Sequence, residues 1–296
     1  VARAVQRWAL DLGQPFESGM AAWTAPARTA GGDEVVLKLS FPHPEARDEA
    51  AALMAWGGSG AVDLLASEPS DWALLLRRLQ PGSSLQDWGL PVADHLAAGA
   101  AVLRRLASVR VAPAERFRDL GTVAQRLAGI AEDRIERLLP GAPLAVDTGL
   151  YRHAVDLFRT LPHEAGHEGL NHGDLNPGNI LRDDLEADAD GRTGTWLAID
   201  PKPVYGDLAW DPWPLLTQVD QWVTVPATPA ELVDRTRLVA DRTGLDPARI
   251  ASWCVARSVD SGLWAADRGW WTGYRGADGD LDRAAAWAAA ARVIGG

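Results

Sequence analysis

The residue types best suited to chemistry lie in two short segments of the second half of the chain. Residues 172–179 place the carboxylate of Asp174 and the amide of Asn179 five positions apart, and Asp200 ends a later apolar run. Two apolar segments joined by a polar turn predict a β-hairpin over residues 179–200, which would bring Asn179 and Asp200 together. Carboxylate and amide oxygens are the ligands that a hard cation such as magnesium prefers.

Phosphoryl transfer from ATP is the chemistry that this pattern indicates. It needs a carboxylate to align the acceptor hydroxyl, oxygen ligands for magnesium and a cation on the phosphates. The interval from Asp174 to Asn179 is that of the kinase catalytic loop H-R-D-x-x-x-x-N. Asp174 is therefore the candidate catalytic base, and Asn179 and Asp200 are the candidate magnesium ligands.

The wider pattern around these residues is that of a known family. It comprises residues 36–38, 43–50, 172–179, 196–203, 206–207 and Asp211. It resembles the aminoglycoside phosphotransferases, most closely the branch of streptomycin 6-kinases and hydroxyurea phosphotransferases, and it covers most of the chain while weakening toward the C-terminus. The resemblance implies an α+β, protein-kinase-like fold of two lobes, with ATP and Mg²⁺ as cofactors.

The same resemblance assigns further roles in the nucleotide site. It implies that Lys38 holds the α- and β-phosphates and that Glu49, on the following helix, pairs with Lys38. Arg78 and Gln80 would belong to the hinge between the lobes, whose backbone reads adenine. A loop between residues 12 and 23 would cover the phosphates, although it contains the single central Gly19 where the family has a glycine-rich turn.

Two more acids match the family pattern but are expected to hold structure in place. Asp207 and Asp211 follow the hairpin closely. Both are expected to brace the 172–179 loop or to cap a helix, and neither is expected to react.

The elements that must position these residues change in type along the chain. The first 80 or so residues alternate like short strands with one helix, and the remainder is rich in Ala and Leu at helical spacing. We therefore expect a nucleotide-binding lobe over residues 1–82 and a helical lobe over 83–296. Strands are predicted at 35–39 and 72–76, and helices at 45–56, 92–109, 114–139, 148–161, 229–243, 247–264 and 281–293.

The acceptor site is expected among tryptophans and acids of the C-terminal half. The chain has 14 Trp, and a Trp face attracts both a sugar ring and an ammonium group. The candidate substrate residues, besides Asp174, are Asp220, Asp260 and Trp264, with Asp267, Trp270 and Trp271 nearby. A compact pocket with one or two acids suits a single amino sugar, whereas a multi-ring aminoglycoside needs a wide acidic cleft.

The expected reaction is therefore phosphorylation of glucosamine to glucosamine 6-phosphate, because the sequence is also similar to actinobacterial glucosamine kinases. The alternative is a streptomycin-type aminoglycoside 6-phosphotransferase that confers antibiotic resistance. A remote alternative is a zinc hydrolase, because His163, Glu164 and His167 fit the motif H-E-x-x-H. Pro162 and Gly166 make a regular helix unfavourable at that motif.

Composition narrows the classes of partner. The net charge of -11 and the pI near 5.0 argue against nucleic acid, since phosphate backbones are bound mainly by Lys and Arg. No apolar run approaches the roughly 20 residues that span a bilayer, and the single cysteine, Cys254, suits a reducing compartment. We expect a cytoplasmic enzyme of a small molecule, as a monomer or a homodimer.

Overall fold

The computed structural model describes residues 1–17, 21–111, 117–138, 148–187, 193–219, 227–268 and 275–296. Its strands are β1 (Asp11–Leu12), β2 (Ala22–Arg28), β3 (Glu34–Ser40), β4 (Leu64–Glu68), β5 (Ala73–Arg77), β6 (Pro81–Ser84), β7 (Arg118–Asp119), β8 (Glu168–Asn171), β9 (Ile180–Ala187), β10 (Thr193–Ala198) and β11 (Val204–Asp207). Its helices are α1 (Ala2–Trp8), α2 (Glu49–Trp56), α3 (Val92–Ser108), α4 (Leu120–Leu138), α5 (Thr148–Thr160), α6 (Pro212–Gln218), α7 (Pro229–Thr243), α8 (Pro247–Asp267) and α9 (Arg275–Gly295).

The first lobe is built on an antiparallel sheet in the order β1-β2-β3-β5-β4. Side chains alternate between the two faces of a strand. Val35 and Leu37 of β3 therefore pack into a small core with α1, while Val36 and Lys38 point to the opposite face. This alternation directs Lys38 away from the apolar cluster under α1 and toward α2.

The predicted boundary between the lobes coincides with a strand. Residues 81–84 form β6, which pairs with β9 so that Pro81 lies opposite Asp183. A second sheet in the order β10-β9-β6 results. The segment that leaves the first lobe is therefore anchored by hydrogen bonds to the hairpin of the second lobe.

The predicted hairpin is confirmed. Strands β9 and β10 pair antiparallel, with Ile180 opposite Ala198, and the Ile199 N–H donates to the Asn179 carbonyl at 2.9 Å. A third sheet in the order β7-β11-β8 lies at the start of the 172–179 loop, because β8 ends at Asn171 and pairs antiparallel with β11. Two strand ends and the hairpin thus fix both sides of this loop.

The helical lobe packs around α8, which contacts α9, α5, α4 and α7. Trp253, Trp287 and Phe158 are fully buried in its core. Helix α7 begins and ends where the sequence predicts, because Thr228 and Glu231 form a capping box at its start and Gly244 adopts a left-handed conformation at its end. Among the described residues, no helix is long and apolar enough to cross a membrane.

Candidate active site

Lys38 lies in the buried charged centre between the lobes. Its Nζ donates to both carboxylate oxygens of Glu49, at 2.7 and 2.8 Å, and to Asp200 at 2.5 Å. Lys38 and Glu49 are 5% and 1% exposed. Burial alone would lower the pKa of Lys38, but the charges of Glu49 and Asp200 outweigh it and raise that pKa, so the ammonium stays charged.

Asp200 is positioned by an unusual backbone conformation. Its φ is +58°, in the left-handed region that few residues other than Gly adopt and that Asp tolerates better than most. Its carboxylate contacts Lys38 on one side and lies 3.7 Å from the Nζ of Lys202 on the other. Burial would raise the pKa of Asp200, but Lys38 and Lys202 outweigh it and lower the pKa, which keeps the carboxylate ionised.

The 172–179 loop is organised by two asparagines. The Asn176 side chain accepts from the N–H groups of Gly178 and Asn179, at 2.9 and 3.2 Å, and donates to Asp174 Oδ1 at 3.1 Å. The Asn179 amide nitrogen donates to the Asp174 carbonyl at 2.9 Å. The amide oxygen of Asn179 is therefore the atom that remains for a cation.

The donor set fits magnesium. Asn179 and Asp200 both offer hard oxygens, and Asp200 is ionised. In the described part of the chain, no group of three His, Cys, Asp or Glu is placed to hold a metal ion. A magnesium ion here would complete its shell with water and phosphate oxygens, which is its usual mode with one or two protein carboxylates.

Asp211 holds the backbone at the start of the loop. Its two carboxylate oxygens accept the N–H groups of His172 and Gly173, at 2.6 and 2.7 Å. Burial raises the pKa of Asp211 to about 6, against the opposing effect of these two donors. Gly173 has φ +85°, and a side chain there would overlap the carbonyl oxygen of Lys202. The expectation that Asp211 braces the loop is confirmed by these contacts.

The neutral His172 ring connects the 172–179 loop to the hairpin through hydrogen bonds. Its Nδ1 faces the N–H of Asp174 at 3.3 Å and its Nε2 faces the carbonyl of Ile199 at 3.0 Å. Nδ1 must therefore accept and Nε2 must donate, which fixes one neutral tautomer. The ring stacks on Trp56 with centroids 6.2 Å apart, and burial lowers the pKa of His172 to about 4.

Asp207 braces the helical lobe. It accepts from the indole N–H of Trp253 at 2.7 Å, from the Nε of Arg249 and from the N–H of Ala209 at 3.1 Å. Trp253 and Arg249 both belong to α8, so this carboxylate ties α8 to the end of β11. The expected structural role of Asp207 is confirmed.

The predicted hinge residues Arg78 and Gln80 form hydrogen bonds within the protein. The Arg78 guanidinium donates to Glu34 of β3 at 2.5 Å. The Gln80 N–H donates to Asp183 Oδ1 at 3.2 Å, and the Gln80 carbonyl accepts from the N–H of Asp184 at 2.6 Å. Because β9 occupies both backbone groups of Gln80, a nucleotide base would have to use neighbouring backbone groups. The nucleotide role of Arg78 and Gln80 stays a prediction.

A cavity of about 310 Å³ opens beside the 172–179 loop. It borders Gly173 and Lys202 and runs along one face of α8. Its polar and aromatic lining consists of Glu45, Arg118, Lys202, Trp210, Trp213, Arg257, Asp260, Ser261 and Trp264. Asp260 and Trp264, both predicted from the sequence, therefore lie on the same cavity as the loop that carries Asp174.

Among the other predicted acceptor residues, Asp267 is described by the structure. It forms ion pairs with Arg134 and Arg137 and is not among the residues that line the cavity, so a role of Asp267 in substrate binding stays a prediction. Asp220, Trp270 and Trp271 lie outside the described residues, as does Gly19.

The cavity carries charges of both signs. Asp260 accepts from Arg134 at 3.1 Å. Arg257 is sandwiched between the rings of Trp210 and Trp213, with its guanidinium carbon 4.1 and 4.3 Å from their centroids. Burial lowers the pKa of Arg257 to about 10, so this cation stays charged at neutral pH.

Sequence reasoning missed several lining residues. Arg257 precedes Asp260 by three positions and therefore shares its face of α8, which the helical spacing could have indicated. Lys202 follows Asp200 by two positions, between two prolines. Glu45 comes from the segment between β3 and α2, and no local pattern points to its place in the cavity.

The H-E-x-x-H segment lacks the helix that a zinc site requires. Residues Leu161–Glu164 form a 3₁₀ turn that ends at Ala165. His163 and His167 are therefore not one α-helical turn apart on a common helix, as the zinc motif needs.

Comparisons with known proteins agree with this geometry. Residues 7–269 match the family model described as aminoglycoside/hydroxyurea antibiotic resistance kinase. A hydroxyurea phosphotransferase of Kitasatospora aureofaciens is 36% identical over 91% of this chain and 73% of its own length. A streptomycin 6-kinase of Streptomyces griseus is 33% identical over 91% of this chain and 83% of its own length.

The fold has solved counterparts as well. The crystal structure of a choline kinase from Streptococcus pneumoniae superposes with a TM-score of 0.63 and 16% identity, over 97% of this chain and 96% of its own. The α+β, protein-kinase-like fold and the activity of a small-molecule phosphotransferase, both expected from the sequence, are thereby confirmed. The chain belongs to the aminoglycoside/hydroxyurea antibiotic resistance kinase family.

Proposed function

We propose that the chain transfers the γ-phosphoryl group of ATP to a hydroxyl group of an aminoglycoside of the streptomycin type. The observation that carries this proposal is the adjacency of two sites. The 172–179 loop borders the cavity through Gly173, and Lys202 links Asp174 of this loop to Asp200 of the buried centre.

The residues divide the work as follows. Asp174 accepts the proton of the acceptor hydroxyl as its oxygen attacks the γ-phosphorus and the bond to the bridging β–γ oxygen breaks. Lys38 binds the α- and β-phosphates, held in place by Glu49. Asn179 and Asp200 would hold magnesium, which neutralises charge on the phosphates when bound.

One part of the cavity wall suits a cationic group of the acceptor. Asp260 and Trp264 are one turn apart on α8, about 6 Å along its axis, and both line the cavity. Trp264 is 40% exposed. A carboxylate beside an aromatic face attracts an ammonium or guanidinium group, so an acceptor could direct a hydroxyl toward Asp174 and a cation toward Asp260.

A single amino sugar is the second candidate acceptor. The sequence favours glucosamine, and one observation keeps that reading open: about 310 Å³ is near the lower end of the roughly 300–1,000 Å³ of small-molecule sites. Such a cavity suits one ring. The family match and the relatives named above support the streptomycin type more strongly.

A substrate panel tests the proposal. ADP release is measured with streptomycin, glucosamine, hydroxyurea and glucose, and the product is located by mass spectrometry. A kcat/KM for streptomycin above that of the other three is the expected result. Turnover of glucosamine alone would establish the second candidate, and turnover of hydroxyurea alone would reject both.

The Asp174→Asn variant tests the mechanism in the same assay. We expect a loss of about 10²- to 10⁴-fold in kcat, the usual range for a general base. Asp156→Asn, an exposed carboxylate on α5, is the matched control and should keep wild-type activity. Full activity of Asp174→Asn would refute the assigned base.

A further inference from the structure

Lys202 lies at the junction of the two halves of the site. Its ammonium group forms an ion pair with Asp174 Oδ2 and lies 3.7 Å from Asp200 Oδ2. The same side chain lines the cavity. Lys202 thus joins the candidate base, the candidate metal ligand and the acceptor site.

Composition makes this lysine exceptional. Of the 29 Lys and Arg residues, only Lys38 and Lys202 are lysines and the other 27 are arginines. Both lysines contact Asp200. A lysine ammonium is a compact point charge with three donors, whereas a guanidinium is a planar fork that pairs in a fixed geometry. The two lysines of this arginine-rich sequence therefore lie on either side of the Asp200 carboxylate.

The backbone of Lys202 is fixed against the 172–179 loop. Its N–H donates to the His172 carbonyl at 2.8 Å, and its carbonyl accepts from Arg118 at 2.9 Å. Pro201 and Pro203 on either side restrict the backbone torsions further. The side chain lies between Asp174, Asp200 and the cavity.

We propose that Lys202 is a further catalytic residue, whose ammonium group donates hydrogen bonds to the oxygens of the γ-phosphoryl group while it passes to the acceptor. This inference rests on the proposed function. As the acceptor oxygen bonds to phosphorus, the bridging oxygen leaves with its electron pair on ADP and the hydroxyl proton goes to Asp174. Lys202 keeps its proton throughout.

Charge balance explains why a cation is needed at this place. Asp174 and Asp200 are two carboxylates that would face the negative oxygens of the transferred group. Lys38 is held on the far side of Asp200 by both oxygens of Glu49. On the acceptor side, Lys202 is the lining cation that pairs with Asp174, and a donor already in position costs no reorganisation in the transition state. Burial would lower the pKa of Lys202, but Asp174 outweighs it and raises that pKa.

The alternative role is purely one of positioning, in which Lys202 only orients Asp174. Steady-state kinetics provide the first test. We expect Lys202→Met to lower kcat by about 10²- to 10³-fold, as for loss of one preorganised donor, with KM for ATP within about threefold of the wild type. Arg126→Met, an exposed cation on α4, is the matched control. Wild-type kcat in a folded Lys202→Met protein would overturn the proposal.

Chemical restoration of the ammonium group at position 202 provides a second test. Lys202→Cys treated with 2-bromoethylamine carries an aminoethylated side chain with an ammonium group at nearly the original place. The native Cys254 is the only other cysteine and is fully buried, so position 202 is the reactive thiol. We expect treatment to raise kcat at least tenfold, whereas Lys202→Arg should stay impaired despite its charge. No gain from treatment would count against an ammonium requirement.

A binding measurement separates contact with phosphate from orientation of Asp174. MgADP with aluminium fluoride mimics the planar phosphoryl group, and Lys202→Met should lose the added affinity of this complex while MgADP binding is unchanged. In wild-type protein labelled with ¹⁵N at lysine Nζ, only two side-chain signals are possible, and the Lys202 signal should shift on adding aluminium fluoride to the MgADP complex. Retained affinity in the variant and an unmoved signal would overturn the proposal.

The two proposals fail in different ways. If the wild-type protein phosphorylates no acceptor of the panel, the proposed function fails, but the aluminium fluoride measurements still test Lys202. If the wild type is active and Lys202→Met is equally active, only the role of Lys202 fails.

Discussion

His172 makes the stability of this protein sensitive to acid in a way that can be measured. Its ring is buried and neutral, and both nitrogens are committed to the backbone, Nδ1 to Asp174 and Nε2 to Ile199. Protonation would place a second donor against the Asp174 N–H. The perturbation that isolates this effect is His172→Phe, which keeps a ring beside Trp56 but cannot titrate.

The magnitude follows from the difference in pKa between the unfolded and folded chain. Burial lowers the pKa of His172 from 6.5 to about 4, a difference of about 2.5 pH units at about 1.4 kcal/mol each. Between these pH values the unfolded chain binds the additional proton, so stability falls as pH falls. The wild type should lose about 3 kcal/mol from this residue between pH 6.5 and 4, and none of it above pH 6.5.

The His172→Phe variant should be less stable than the wild type at pH 7, but residue 172 should cost it no further stability as the pH falls. At pH 7 it lacks the hydrogen bond to the Ile199 carbonyl and leaves buried backbone groups unpaired, a cost of about 2–3 kcal/mol. It has no histidine to protonate at position 172. The two proteins should therefore differ by about 2–3 kcal/mol at pH 7 and by almost nothing at pH 4.

Urea unfolding at pH 7, 6, 5 and 4 measures how the difference in the free energy of unfolding between the two proteins shrinks. Other titrating groups, including Asp211, are present in both proteins and largely cancel in the difference. His153→Phe is the matched control, because His153 is exposed on α5 and its ring is in water in both states. A gap between wild type and His172→Phe that stays constant from pH 7 to 4 would refute the neutral, buried assignment.

Three further substitutions test other parts of the site. Lys38→Met should raise KM for ATP about 10- to 100-fold, as expected for one charge-assisted contact, in the ADP-release assay. Asp207→Asn should lower the free energy of unfolding by about 3–5 kcal/mol, because it leaves the cation of Arg249 without its buried partner. Asp260→Asn should raise KM for a cationic acceptor about tenfold with little change in kcat, and an unchanged KM would remove Asp260 from the acceptor site.

The sequence predicts best where one local signal and one pairing partner decide the structure. Strand β3 is apolar and β-branched, and its predicted ends lie within one residue of the observed ones. Helix α7 carries capping signals at both ends, and its predicted bounds are the observed ones. Asn179 and Asp200 were likewise expected to lie close together because a hairpin places its ends together, whereas Lys38 was assigned through the family resemblance. In the structure Lys38 pairs with Asp200, and the Ile199 N–H next to Asp200 donates to the Asn179 carbonyl.

Strand β2 shows what local pattern cannot predict. It contains Ala, Thr and an internal Pro26, and proline removes a donor from a sheet. The strand exists because it pairs along its whole length with β3. The Pro26 carbonyl still accepts from the N–H of Gly13 at 2.8 Å, so tertiary pairing outweighs weak intrinsic preference.

The acceptor cavity was only partly predictable for a similar reason. Asp260 and Asp267 are both acids of α8, and Asp260 was the preferred candidate for the acceptor site. Seven positions return to nearly the same face of a helix, and Arg134 of α4 pairs with both acids. Asp267 also pairs with Arg137 of α4, and of the two acids Asp260 lines the cavity.

Four aspartates near the site differ in their burial and in their partners. Asp174 and Asp200 border the cleft and each contacts a lysine, whereas Asp207 and Asp211 are buried and hold backbone or α8. The pKa of Asp200 is lowered and that of Asp211 is raised to about 6.

Residue type is the same in all four cases, so partner and burial decide their roles. The two carboxylates beside lysines are suited to a proton and a cation. The buried pair can only position them, because a carboxylate committed to backbone donors has no oxygen to offer a substrate. Because Lys202 pairs with Asp174 and lies beside Asp200, it should be tested before any further acid of the cavity.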